Sequence, residues 1–94
     1  MASTTQKVAS TNTAQSLPAA ITFVAGERVL GALITFETNN IRIAFDSTPT
    51  QAGLGHLMTS NHVLELTSGD KVMALKFISA VADTHGAMQV TLFY

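Results

Sequence analysis

Three histidines, His56, His62 and His85, are the side chains best suited to bind a metal ion or move a proton near neutral pH. A zinc site built from them needs all three imidazoles to converge. The spacing of six between His56 and His62 does not put a ligand pair on one helix face, so the three would have to arrive from separate loops. The expected role of each is therefore a single hydrogen bond at a loop or strand end. His56 stands apart because it lies in Gly53-Leu54-Gly55-His56-Leu57, where two glycines permit close backbone approach. The chain has no cysteine, which removes thiolate metal ligands, disulfides and a sulfur nucleophile.

Acyl transfer would need a serine or threonine held against a base and an orienting acid. Serines and threonines are abundant, but none lies in a Gly-x-Ser-x-Gly elbow. Asp46 and Asp83 are the pair that could serve as two carboxylates in sugar hydrolysis. With six acids in the whole chain, turn and surface roles are expected for both. Gly53-x-Gly55 lacks the further glycine and lysine of a phosphate loop. The expectation is a protein that is not an enzyme, with no catalytic residue, no cofactor and no metal.

Composition narrows the partners. Of the 94 residues 12% are charged and 47% hydrophobic, against about 25% and 45–50% in ordinary soluble proteins. Ser, Thr, Asn and Gln take the place of the missing charge. The formal net charge is −1, and the basic residues Lys7, Arg28, Arg42, Lys71 and Lys76 are scattered. This argues against nucleic acid or an anionic membrane as partner. No segment approaches the ~20 apolar residues that span a bilayer. Residues 2 to 16 are too polar for a secretory signal, so synthesis in the cytoplasm without export is expected. A surface with so little charge offers little repulsion against association, which suits a subunit of an assembly.

The segment 1–18 reads as an extended or flexible N-terminal arm. Between Ala2 and Ser16 it has one charge, Lys7, and one sizeable apolar side chain, Val8, too little to offset its ordering entropy alone. Its Thr and Ser content suits extended backbone lying on a neighbouring subunit. Thr4, Thr5, Lys7, Val8, Thr11, Thr13 and Leu17 are the candidate partner-binding residues.

Residues 19–94 read as one all-β domain. Strands are expected at Ile21 to Val24, at Arg28 to Phe36 with a bend at Gly31, and at Ile41 to Phe45 after a tight turn at Asn39 and Asn40. Residues 46 to 61 read as a long loop. His62 to Thr67 follows as a strand, Ser68 to Asp70 as a turn, and Val72 to Ala80 as a strand with Met73, Leu75 and Phe77 on one face. After a turn at Asp83 to Gly86, the alternation of Met88, Val90, Leu92 and Tyr94 marks the last strand. About six or seven strands with frequent turns point to a small β-sandwich or jelly-roll-like domain. Its expected core is Ile41, Ile43, Phe45, Leu64, Leu66, Leu75, Phe77, Val90 and Leu92. Area scaling leaves about 5,000 Å² of such a chain exposed, a marginal core for a monomer.

The stretch from Asn40 to Leu57 is the most specific. A strand ending at Asp46 places that carboxylate to accept from the turn amides that follow, Pro49 fixes the turn, and Gly53, Gly55 and His56 structure the return. Locally it resembles the Tyr-x-x-Asp-Gly-Ser-x-Pro-Thr hairpin of the immunoglobulin-like C-terminal domains found beside chitobiases, though no glycine follows Asp46 and Met58 stands where that hairpin closes with tyrosine. Over residues 21–94 the sequence resembles small β-sandwich virion proteins of tailed bacteriophages. Asp46, Thr48, Pro49, Thr50, Gly55, His56, Leu57, Lys76, Phe77, Ile78, Phe93 and Tyr94 carry that resemblance. It implies a structural protein of the virion, such as a head decoration or cement protein, with major capsid protein or other virion subunits as partners and a homo-oligomer, trimer or dimer, as its form. The alternatives are a tail, head-to-tail connector or fibre component, or a carbohydrate- or receptor-binding module. The last normally presents aromatic platforms, whereas tryptophan is absent and Tyr94 is the single tyrosine.

Overall fold

Alternation as regular as that of residues 87–93 requires one hidden face, and a hidden face requires a second layer. The computed structural model describes residues 2–94 and supplies that layer. In chain order its elements are β1 (Ser3–Ala9), β2 (Gln15–Ser16), α1 (Leu17–Ala20), β3 (Gly31–Thr38), β4 (Ile41–Ala44), β5 (His56–Met58), β6 (Val63–Leu66), α2 (Gly69–Ala74), β7 (Lys76–Ser79) and β8 (Ala87–Phe93). They form two four-stranded antiparallel sheets, ordered β1-β8-β3-β6 and β2-β7-β4-β5. A single apolar cluster draws Ile34, Phe36, Val90 and Leu92 from the first sheet and Ile41, Ile43 and Phe77 from the second.

The anticipated core is present. Ile41, Ile43, Leu66, Leu75, Phe77, Val90 and Leu92 are buried, and Phe45 and Leu64 pack half-buried against them. In β8, Met88, Val90 and Leu92 are hidden while Gln89 and Thr91 are not, and Tyr94 continues the buried series.

Within the expected arm 1–18, Met1 lies outside the described residues, and residues 2–18 depart from an arm outside the core. β1 pairs along its length with β8, from Ser3 opposite Phe93 to Ala9 opposite Ala87, and β2 pairs with β7. Val8 and Leu17 are buried in the chain's own core. The physical reason is that a polar segment need not bring its own core when a neighbouring strand offers a row of open hydrogen-bonding groups. The radius of gyration, 12.4 Å, is that of a compact chain of this length, about 12 Å. The accessible surface of 5051 Å² likewise leaves no room for a detached segment.

Other boundaries shift for local reasons. Residues 21–24 form no strand. Their backbone is bonded by side chains, with the Gln6 amide accepting from Thr22 N–H at 2.6 Å and donating to Thr22 C=O, and the Tyr94 hydroxyl accepting from Val24 N–H at 3.0 Å. The turn at Asn39, where φ is 56°, carries the chain from one sheet to the other and is not a hairpin. Residues 69–74 are helical because the Ser68 side chain caps Lys71 N–H at 3.3 Å and Asp70 occupies the first turn. Met73 is consequently 53% exposed and does not share a face with Leu75 and Phe77. Within the expected 46–61 loop, residues 56–58 pair with β4. These changes bring the strands among the described residues to eight.

Two measurements follow from this arrangement. Phe77→Ala is expected to lower stability by about 3–5 kcal/mol, read as a lower urea midpoint. Deleting residues 2–16 is expected to abolish the cooperative thermal transition, because β8 then loses one whole edge and Val8 leaves the core; a detached arm would leave the melting curve unchanged.

Candidate functional site

The edge strands of the two sheets on the side away from β1 and β2 are β6 and β5. Between them the apolar layer is not fully covered. Phe45, just past the end of β4, is half-buried and forms a shared wall with Ala74 of α2. On one side of this wall a depression of about 610 Å³ is lined by Leu64, Glu65 and Leu66 of β6 and by Asp70 and Lys71 of α2. On the other, one of about 600 Å³ reaches Asp46, Leu54, Gly55 and His56. The two depressions adjoin at Phe45 and Ala74, are lined largely by apolar side chains, and are together called the groove. Leu54, Leu57 and Val63 are exposed nearby, Val63 at 57%.

The groove owes its shape to the loop before β5. The Arg42 guanidinium reaches from β4 across the loop, with Nε donating to Gln51 C=O at 3.1 Å and a terminal nitrogen to Gly55 C=O at 3.3 Å. The Thr50 hydroxyl accepts from Leu54 N–H at 2.9 Å, and Thr50 N–H donates to Leu54 C=O at 3.0 Å. Pro49 is fully buried. Gly55 has φ of 118°, and a Cβ there would lie 2.9 Å from Ile43 C=O and 3.2 Å from Pro49 Cβ, so only glycine fits. The expected loop residues thus occupy their loop, but Thr50 and Arg42 make the organising hydrogen bonds expected of Asp46. Asp46 is exposed on the groove wall. Arg42 was hidden from sequence reasoning because its position in β4 reads as the solvent phase of an alternating strand.

A second cluster joins the sheets. Ser10, at the end of β1, is buried; its Oγ accepts from Gly86 N–H at 2.8 Å and lies 2.7 Å from Ser79 Oγ. Its own N–H donates to Gly86 C=O at 2.8 Å. A Cβ at Gly86 would come within 2.6 Å of Ile41 Cγ1, so β8 begins where only a glycine clears the opposite sheet. Ser79 Oγ lies 3.1 Å from His85 Nδ1, a serine–imidazole pair within reach of proton transfer. Ser79 is 0% exposed, so no substrate carbonyl can approach it, and the pair links β7 to the turn before β8. Around it, Asn12 Nδ2 donates to Asp83 Oδ1 at 2.8 Å, Asp83 N–H donates to Asn12 Oδ1 at 2.9 Å, and Asn39 Nδ2 donates to His85 C=O at 2.8 Å.

The three histidines are not brought together. His56 lines the groove, His62 precedes β6, and His85 belongs to the polar cluster. Among the described residues no three of His, Asp or Glu are grouped so as to hold a metal ion. Asp46 and Asp83 have separate surroundings, the groove wall and the Asn12 side chain. Of the residues expected to contact a partner, Val8 and Leu17 are unavailable, Thr5 bonds Thr91 across the strands at 2.8 Å and Thr11 bonds Thr13 C=O at 2.9 Å. Thr4 is half-buried in β1, and Lys7 and Thr13 stay exposed. No family model matches this chain, and neither the curated proteins nor the solved structures contain a detectable match to it.

Ser10→Ala is expected to cost about 1–3 kcal/mol, because the buried Gly86 amide loses its acceptor. Ser79→Ala orphans no backbone group there and is expected to cost less. Urea denaturation of the two variants side by side checks the order.

Proposed function

We propose that the protein is a noncatalytic structural component of a bacteriophage particle, a decoration or cement protein that binds and stabilises the head shell. The observation that carries this reading is the apolar groove beside two unpaired sheet edges, on a surface with few charges to oppose association. Exposed apolar area of this kind marks an interaction face. A shell subunit provides a large surface to dock against, and a standard interface of about 1,600 Å² would add the stabilisation that so small a core lacks.

Within this reading the two sheets are the layers of a small β-sandwich, and major capsid protein or another virion subunit covers the groove. Association of copies as a trimer or dimer around a local symmetry axis belongs to the same proposal. The partner-binding role moves from the N-terminal segment, whose residues 3–9 and 15–16 pair within the sheets, to the groove beside β6.

The test is quantitative proteomics of purified particles together with rebinding of the isolated protein to particles lacking it. The expected result is a copy number that scales with the number of shell subunits, and loss of rebinding by Leu54→Lys, a groove residue that is 51% exposed, with its thermal melt retained. A copy number matching a single ring would assign the protein to a connector or tail. Absence from the particle would end the virion reading.

A further inference from the structure

The free edge of β6 and the charge of the groove together specify an occupant. Among the described residues β6 pairs only with β3, with Ile34 opposite Leu64 and Ala32 opposite Leu66. Phe36 N–H bonds His62 C=O at 2.9 Å, which sets the phase of the ladder. By antiparallel alternation the main-chain groups of Leu64 and Leu66 face β3, and those of Val63 and Glu65 face outward. Among the described residues no strand pairs with that edge. An unpaired edge next to an apolar groove is a template for an added extended segment.

Charge selects which segment. The groove carries Asp46, Glu65 and Asp70, three of the chain's six acids, but only Lys71 of its five lysines and arginines. A second copy laid antiparallel on β6 would bring the same acidic rim against itself, and facing like charges are destabilising. A basic strand meets no such penalty.

We propose that the β6 edge and the groove bind an extended segment of a partner protein in which apolar residues alternate with lysine or arginine. Its main chain bonds the outward groups of Val63 and Glu65. Its apolar side chains, all on one face, seat beside Phe45, Leu64 and Ala74, and its basic side chains meet Glu65 and Asp70. The inference rests on the groove being the partner-binding face, but it concerns the chemistry of the occupant and needs no particle to test.

The experiment is a low-salt titration of the full chain with acetyl-Thr-Val-Lys-Val-Lys-Val-Thr-amide and with its counterpart carrying Glu for Lys, followed by amide chemical shifts and calorimetry. The lysine peptide is expected to bind about tenfold more tightly than the glutamate peptide, with the largest shifts in residues 63–66. Glu65→Pro removes an outward N–H while leaving the β3 ladder intact, and is expected to abolish binding. Should that variant not fold, the combined Asp46→Asn, Glu65→Gln and Asp70→Asn variant is expected to lose the discrimination between the peptides. Equal affinity for the two peptides, or no binding of either, would overturn the proposal. Peptide binding without particle binding would support it and defeat the decoration reading alone; particle binding without peptide binding would do the reverse.

Discussion

The fold depends on β8 having hydrogen-bond partners along both edges. It is the strand with the most regular alternation, and its buried face cannot be held against the second sheet unless both neighbours are in place. β3 supplies one edge and β1 the other, so residues near the two ends of the chain must meet before the first sheet is complete. Pairings that distant in sequence carry a loop-closure cost that local contacts do not. The polar segment at the start, with almost no core of its own to contribute, is ordered by this edge. In return, Val8 is buried, and the Gln6 amide holds Thr22, so that residues 21–24 lie across the inner side of β1.

The same requirement explains why a buried polar cluster sits where β1 ends and β8 begins. Both strands leave the sheet there, and their terminal backbone groups would be orphaned without it. Ser10 and Gly86 exchange backbone and side-chain bonds, Ser79 N–H reaches Thr11 C=O at 2.9 Å, and Ala80 N–H reaches Asn40 C=O at 3.0 Å. Among the described residues no buried side-chain polar atom lacks a partner. A serine–histidine contact in such a place has a structural reason, and Ser79 burial keeps it apart from solvent chemistry.

What was legible in the sequence was what depends on near neighbours. Ile41, Ile43 and Phe45, or Val90 and Leu92, announce their faces by alternation within a few residues. β1 could not announce itself, because an edge strand with one outer face and one partly covered face needs only a single large apolar residue, and its Thr, Gln and Lys positions look like a solvated tail. The α2 helix was obscured because its cap, Ser68, and its acidic first-turn residue, Asp70, read equally well as a turn. Ile21 to Val24 misled in the opposite direction: it has strand composition, but its hydrogen bonds go to the side chains of Gln6 and Tyr94. The groove was beyond reach in a stronger sense. Phe45, Leu64, Lys71 and Leu54 come from four separate segments, and nothing in any one of them signals the others.

The asymmetry of the domain bears on what it can bind. On the β1 side, the segment from Ile21 to Val24 is held by the side chains of Gln6 and Tyr94, with Ile21 buried. On the β6 side, among the described residues, no comparable segment lies over Phe45, which is left half-buried. The polar N-terminal residues pair with β8 and β7, and among the described residues none covers the groove beside β6. Had those residues remained a free arm, affinity for a partner would begin with the entropic cost of ordering them. With the arm folded in, the open margin is already shaped by Arg42, Thr50 and Pro49, so a partner that covers it binds a formed surface and pays chiefly for ordering itself.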